Sequence, residues 1–287
     1  MTIGITGHKG FIGSAVAQHV AQQNCHVLTL DRLTRSPEGE RQDAKEYPDN
    51  LDWVLHFGAS TSISQSFDHP FATYQNNLNA TLSALQIAQY SKASFLYMSS
   101  YVYGTPQYLP IDETHPLGCS NPYMGSKILG EQLCQQCNML FHVPVVILRG
   151  FYIYGPALPP GRFISDLLAC VRRGTPITIN DPSPKRDYLY IRDFCALIWR
   201  ILSQTPLKTG IYNVGYGQSY SNLDVAELLR TLSHEHRPIV INSVRRQNDI
   251  GDCIPDVSMV KQTFSWEPVY SLEMGLRELL TMPQKSS

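Results

Sequence analysis

Thr6-Gly7-His8-Lys9-Gly10-Phe11-Ile12-Gly13 follows a short apolar run, Met1-Thr2-Ile3-Gly4-Ile5, and leads into a helical pattern from Ser14 to Gln22. Strand, glycine turn and helix in that order open a dinucleotide-binding unit. Each glycine has a physical task. Gly7 permits the tight turn, Gly10 lets backbone approach a pyrophosphate, and Gly13 lets the helix pack closely on the strand. Backbone N–H groups around Phe11 and Ile12 then point at phosphate oxygens from the helix N-terminus. Ala15, Val16 and Val20 supply the helix with an apolar side.

Outward from this unit the same alternation continues. His26-Val27-Leu28-Thr29-Leu30 reads as a second strand with Asp31 at its end. A carboxylate there can accept both ribose hydroxyls of an adenosine. It also repels a 2′-phosphate, so it favours NAD over NADP. Arg32 keeps NADP as the lesser alternative, because a guanidinium binds phosphate well. Arg35 to Asn50 is polar and loop-like. Trp53-Val54-Leu55-His56-Phe57-Gly58-Ala59 is a buried strand ending in small residues, which leave room for a ligand. His56 is expected to be a satisfied core histidine. Phe71 to Tyr90 is a long helix in which Asn76 and Asn77 can reach a cofactor or bond a loop.

Ser94 to Met98 is another strand, followed by Ser99-Ser100-Tyr101-Val102-Tyr103-Gly104. Hydroxyls at the carboxyl end of a central strand face the ligand crevice. Tyr123 and Lys127 stand in Asn121-Pro122-Tyr123-Met124-Gly125-Ser126-Lys127, at the start of a helix running to Phe141. Their spacing puts both side chains on one helix face. A phenol near an ammonium gives up its proton more readily, which makes the pair an acid/base for a hydroxyl. Val145 to Leu148 is the next strand. Strands alternating with helices predict an α/β fold, a doubly wound parallel sheet covered on both faces. Residues 1–150 form its Rossmann-type domain, with a returning strand and helix near 187–215. Residues 151–287 form mainly a smaller C-terminal α/β substrate domain, where proline and glycine loops suit a pocket.

Composition narrows the function classes. The chain has 287 residues, 43% hydrophobic, with a net charge of −1. No basic stripe appears, so a nucleic-acid or membrane-surface partner lacks electrostatic support. The apolar runs are strand-sized, no membrane span is expected, and no signal segment opens the chain. A cytoplasmic location follows by default. Seven scattered cysteines suggest reduced thiols. Cys134 and Cys137 have no second pair to complete a metal site, and His234-Glu235-His236 reads as a solvated turn. No metal is expected.

Taken together, these stretches resemble the extended short-chain dehydrogenase/reductase family, in its nucleotide-sugar epimerase and dehydratase branch. The resemblance runs from Thr2 to about Leu280. It is carried by the glycine turn, Asp31, Ser99 within Ser99-Ser100-Tyr101-Val102-Tyr103-Gly104, and Tyr123 with Lys127. Arg149 through Gly155-Pro156, Arg186-Asp187-Tyr188, Asn213-Val214-Gly215 and Trp266-Glu267-Pro268 extend it. The resemblance implies site roles. Asp43 would contact adenine, and Phe57, Gly58, Ala59, Asn76 and Phe151 would line the cofactor. Ser99 would hydrogen-bond the reacting sugar oxygen, Tyr123 would be the acid/base, and Lys127 would hold the nicotinamide ribose. Arg186 and Arg246 would bind the diphosphate of a nucleotide-diphosphate sugar, with Tyr101 and Tyr152 also at substrate positions. Family members often pair through the Phe71–Tyr90 and Tyr123–Phe141 helices, which implies a homodimer.

Two positions depart from the family pattern. Tyr152 stands where an asparagine is usual, so the substrate grip differs. Family dehydratases place an acidic residue two positions after the serine or threonine, and Tyr101 fills that place here. A 4-epimerase is the leading reading. A 4-keto-sugar reductase, an atypical dehydratase and a non-catalytic NAD-binding regulator are the alternatives.

Overall fold

The computed structural model describes residues 1–34, 47–244 and 250–282. In chain order, β1 (Thr2–Thr6), α1 (Phe11–Gln22), β2 (His26–Thr29), β3 (Trp53–His56), α2 (Ile63–Asp68), α3 (Pro70–Tyr90), β4 (Ser94–Met98), α4 (Pro122–Phe141) and β5 (Val145–Gly150) come first. β6 (Tyr152–Tyr154), α5 (Phe163–Arg173), β7 (Thr178–Ile179), β8 (Lys185–Tyr190), α6 (Ile191–Leu202) and β9 (Gly210–Val214) follow. β10 (Ser219–Ser221), α7 (Asn222–Leu232), β11 (Val240–Ile241), α8 (Ser258–Phe264) and α9 (Leu272–Thr281) complete the described chain.

The main sheet has six strands in the order β2-β1-β3-β4-β5-β9, and every neighbouring pair is parallel. Parallel strands need both faces covered, and the burial agrees: β3 and β5 are buried at every residue. One face packs Ile5, Leu55 and Leu148 against Val16 and Val20 of α1 and Phe194 and Ile198 of α6. The other face packs Val54, Phe95 and Ile147 against Ala84, Ile87 and Ala88 of α3 and Cys134 of α4.

Strand order fixes where a ligand can lie. The chain steps from β1 outward to β2, then crosses back to place β3 on the other side of β1. The reversal opens a crevice at the carboxyl ends of β1 and β3. The glycine turn and Phe57-Gly58-Ala59 stand at its two sides.

Beyond β5 the chain builds a second layer. β8 pairs parallel with β6 and antiparallel with β10. Tyr154, Tyr188 and Tyr190 pack there with Leu167 of α5, Leu229 of α7 and Leu276 of α9. β9 returns to the first sheet beside β5, and α6 covers the α1 side. Asp193 of α6 ties the late segment down. Its carboxylate accepts from Val269 and Tyr270 N–H at 3.0 and 2.9 Å, and its carbonyl accepts from Trp266 Nε1 at 3.0 Å. The Trp-Glu-Pro stretch is therefore a structural clamp. Among the described residues no helix is long and apolar enough to cross a membrane.

Candidate active site

The glycine turn has the shape a pyrophosphate needs. Gly7 has φ +70°, and a Cβ there would stand 2.7 Å from the Gly58 nitrogen. A Cβ on Gly13 would run into the Gly7 carbonyl, so α1 approaches β1 as closely as backbone allows. Gly10 N–H closes the turn on the Gly7 carbonyl at 2.8 Å. Gly10 is also the N-cap of α1 and brings no side-chain cap, so the first amides of α1, at Phe11 and Ile12, face the crevice end unblocked by a side chain. Asp31 lies just beyond β2. One carboxylate oxygen accepts from Gly7 N–H and the other from His8 Nδ1, the latter at 2.6 Å. Arg32 is exposed beside it. This donor and acceptor set fits a dinucleotide with a free adenosine ribose.

A buried polar chain sets the floor of the crevice. Thr81 Oγ1 donates to the Asn77 carbonyl at 2.8 Å, so toward His56 Nε2, 3.1 Å away, it accepts. His56 Nδ1 is then left to accept from Thr6 Oγ1 at 2.7 Å, and Thr6 Oγ1 accepts from Gly58 N–H at 3.0 Å. Burial pushes the His56 imidazole down to about 3, aided by the charge of Lys127, so it is neutral. His56 is the satisfied core histidine that its strand position suggests.

Asn121 caps α4, accepting from Met124 N–H at 2.8 Å, and starts the helix so that Tyr123 and Lys127 share one face. Lys127 is buried. Its ammonium donates to the Met98 carbonyl at 2.7 Å and lies 4.7 Å over the Tyr97 ring. Burial lowers it to about 8. Tyr123 behaves differently from expectation. Burial raises its phenol, and the groups that pull the other way are the Ser100 hydroxyl and the Arg162 guanidinium. Burial outweighs both, so the phenol stays above its usual value. Arg162, at the N-cap of α5, reaches back to Thr61 Oγ1 at 3.5 Å.

Ser99 does not meet the phenol. Its hydroxyl donates to Glu131 Oε1 at 2.5 Å. Glu131 is in turn held by Arg149, Nη2 to Oε2 at 2.7 Å and Nε to Oε1 at 3.0 Å, with both side chains buried. Arg149 Nη1 donates to Tyr103 Oη at 3.0 Å, and Tyr103 donates to Asn213 Oδ1 at 2.5 Å. Asn213 N–H reaches Glu113 Oε1 at 2.7 Å. This network explains Arg149 and the Asn-Val-Gly stretch as support beneath the site. Glu131 was legible in principle, four residues after Lys127 on the same helix face. Ser100 was not separable from Ser99 in the sequence.

The remaining expectations divide. Phe57, Gly58 and Ala59 line the crevice end of β3, half-buried, with Phe57 edge-on to Phe194 at 6.4 Å. Asn76 is exposed on α3, and its neighbour Asn77 is buried. Asn77 accepts from Ser60 N–H at 2.7 Å and donates to Ser126 Oγ at 2.8 Å, and Ser126 donates to the Tyr123 carbonyl at 2.7 Å. Phe151 is buried against Tyr101, ring centroids 5.2 Å apart and nearly perpendicular. Tyr101 turns its hydroxyl back to the Gly104 carbonyl at 2.5 Å, so it offers the site an aromatic wall. Tyr152 Oη accepts from Arg186 Nε at 3.0 Å, while Arg186 Nη1 donates to the Lys185 and Ile250 carbonyls. Asp187 beside it is buried and accepts three amides, from Tyr216, Gly217 and Gln218. Asp43 and Arg246 lie outside the described residues. Glu235 pairs with Arg237, and among the described residues no cluster of three or more His, Cys, Asp or Glu side chains could hold a metal ion.

Comparison with known proteins accords with this geometry. The sequence profile described as "NAD dependent epimerase/dehydratase family" matches residues 3–215. The chain is 26% identical to the UDP-glucose 4-epimerase of Bacillus subtilis, covering 95% of this chain and 94% of that one. It is 27% identical to the dTDP-glucose 4,6-dehydratase of Xanthomonas campestris pv. campestris, covering 96% and 90%. The UDP-glucuronic acid 4-epimerase from Bacillus cereus, solved with UDP-glucuronic acid and NAD, superimposes with a TM-score of 0.82 at 25% identity over 96% of each chain. The chain belongs to the NAD-dependent epimerase/dehydratase family, the nucleotide-sugar branch of the extended short-chain dehydrogenases/reductases, and is an enzyme of that family working with NAD.

Proposed function

We propose that the protein is a nucleotide-sugar 4-epimerase, which oxidises and re-reduces C4 of a nucleotide-diphosphate sugar through a 4-keto intermediate. The observation that carries this reading is Tyr123 with Lys127 one turn along the same helix, the Ser100 hydroxyl favouring the ionised phenol, and no carboxylate at Tyr101. A dehydratase needs a second acid/base to remove the C5 proton and to protonate the leaving hydroxyl. Tyr101 spends its hydroxyl on Gly104 and faces Phe151, so it serves neither step.

Each residue has a task. NAD, when bound, supplies the hydride acceptor and then the hydride donor. The turn from Gly7 to Gly13 and the first amides of α1 hold the pyrophosphate. Asp31 takes the adenosine ribose, and Lys127 the nicotinamide ribose. Phe57, Gly58, Ala59 and Phe151 border the cofactor. Tyr123 removes the proton from the C4 hydroxyl and later returns it. Ser100 shares the proton of the phenol, while Ser99 belongs to the Glu131 support beneath it. Arg186, steadied by Tyr152, binds the diphosphate; a guanidinium fork suits phosphate oxygens.

We also propose a homodimer through α3 and α4. Phe71 is 86% exposed, Met139 67%, Leu82 47% and Leu129 40%, all on these two helices. Purification tests the epimerase reading. Bound NAD should survive gel filtration at about one per chain, and Tyr123→Phe should lose about 10²–10⁴-fold in turnover while keeping it. Freely exchanging NADH with one-way reduction of a 4-keto sugar would favour the reductase instead.

A further inference from the structure

We propose that His8 sets how strongly the cofactor site discriminates between NAD and NADP, acting through Asp31. The inference rests on the reading of Asp31 as the ribose ligand. In the structure both Asp31 oxygens already have a donor: Gly7 N–H on one, and His8 Nδ1 at 2.6 Å on the other. A carboxylate can only accept, so Nδ1 carries the proton. The contact is a consequence of the turn. Gly7 at φ +70° and the 2.8 Å bond from Gly10 N–H to the Gly7 carbonyl fix the backbone that carries His8.

Asp31 rejects a 2′-phosphate by like-charge repulsion and by needing hydroxyl donors. An imidazole N–H on one oxygen fills a lone-pair position and offsets part of the charge. The exposed cations Lys9 and Arg32 flank the pair in sequence, one beside His8 and the other beside Asp31. The imidazole N–H thus softens the carboxylate's exclusion of NADP. A purely structural His8 would hold the turn and affect both cofactors alike.

The test is the ratio of NADP to NAD dissociation constants, from fluorescence titration of the full chain cleared of endogenous cofactor. In His8→Ala the ratio should rise about tenfold, the effect of one charge-assisted hydrogen bond, with the NAD constant within about threefold of wild type. His8→Gln, which keeps an N–H donor, should restore the wild-type ratio. In an Asp31→Asn background, His8→Ala should no longer move it. If Asp31→Asn lowers the ratio but His8→Ala leaves it unchanged, or weakens both cofactors equally, the inference is overturned. If Asp31→Asn leaves both NAD affinity and the ratio intact, the ribose reading of Asp31 is what fails.

Discussion

Ser99 Oγ donates to Glu131 Oε1 at 2.5 Å, and the same carboxylate grips the Arg149 guanidinium. The serine that the family pattern puts on the substrate donates to a buried ion pair, and the hydroxyl of the next residue, Ser100, acts on the Tyr123 phenol. Breaking a buried pair leaves an uncompensated charge. Glu131→Ala should cost about 3–5 kcal/mol of stability in denaturant unfolding. A loss below about 1 kcal/mol would show that the pair is not needed to hold β5 against α4.

The two serines separate by assay. Ser100→Ala should lower turnover by about tenfold or more, through loss of a hydrogen bond at the phenol. Ser99→Ala should lower stability by about 1–3 kcal/mol, leaving part of Glu131 unsatisfied, with a smaller effect on turnover. The reverse pattern, measured by steady-state kinetics and unfolding on the same preparations, would return Ser99 to the substrate.

Lys127 gives a pH signature. Its ammonium titrates at about 8 in the folded chain, below the usual 10.5, because burial disfavours the charge. As pH rises through about 8 the charge is lost, so NAD affinity should fall. Stability moves the other way. Between 8 and 10.5 the unfolded chain binds more protons at this residue, so its contribution to folding rises with pH, by roughly 3 kcal/mol in full. Circular dichroism over the same pH range separates weaker binding from unfolding. Lys127→Met should bind NAD less tightly at every pH and lack the inflection. A wild-type affinity flat from pH 7 to 10 would count against the ribose role.

Much of this was legible in the sequence, and the exceptions have physical causes. The strand-glycine-helix opening and Asp31 translate directly into the crevice because the turn chemistry is local. The α3 and α4 spans are long enough for their period to register. β7 and β11, at two residues each, and β6 and β10, at three, are too short to show alternation. Helices α2 and α8, of 6 and 7 residues, are likewise too short for their period to register. Asn76 and Asn77 are about 100° apart on a helix, and which of them faces inward depends on how α3 packs. Ser99 and Ser100 lie past the end of β4, where alternation no longer assigns faces. Raising of the Tyr123 phenol by burial is a tertiary effect, invisible in the spacing to Lys127.

The exposed apolar side chains on α3 and α4 give the dimer a direct check. Light scattering at micromolar concentration should return twice the mass of one chain. Phe71→Asp combined with Leu129→Asp should halve it without altering the far-ultraviolet circular dichroism. A wild-type mass of one chain would remove the proposal.

The central claim is reversible hydride transfer at C4, with Tyr123 carrying the proton. The most direct measurement follows deuterium in UDP-, GDP-, dTDP- and CDP-hexoses labelled at C4, incubated with the protein and NMR-monitored without added reductant. At least one sugar should convert to its C4 epimer with deuterium retained at C4 and no net consumption of NAD, and Tyr123→Phe should suppress that conversion. Migration of deuterium to C6 with formation of a 4-keto-6-deoxy product, washout of the label into water, or full conversion by Tyr123→Phe would contradict it.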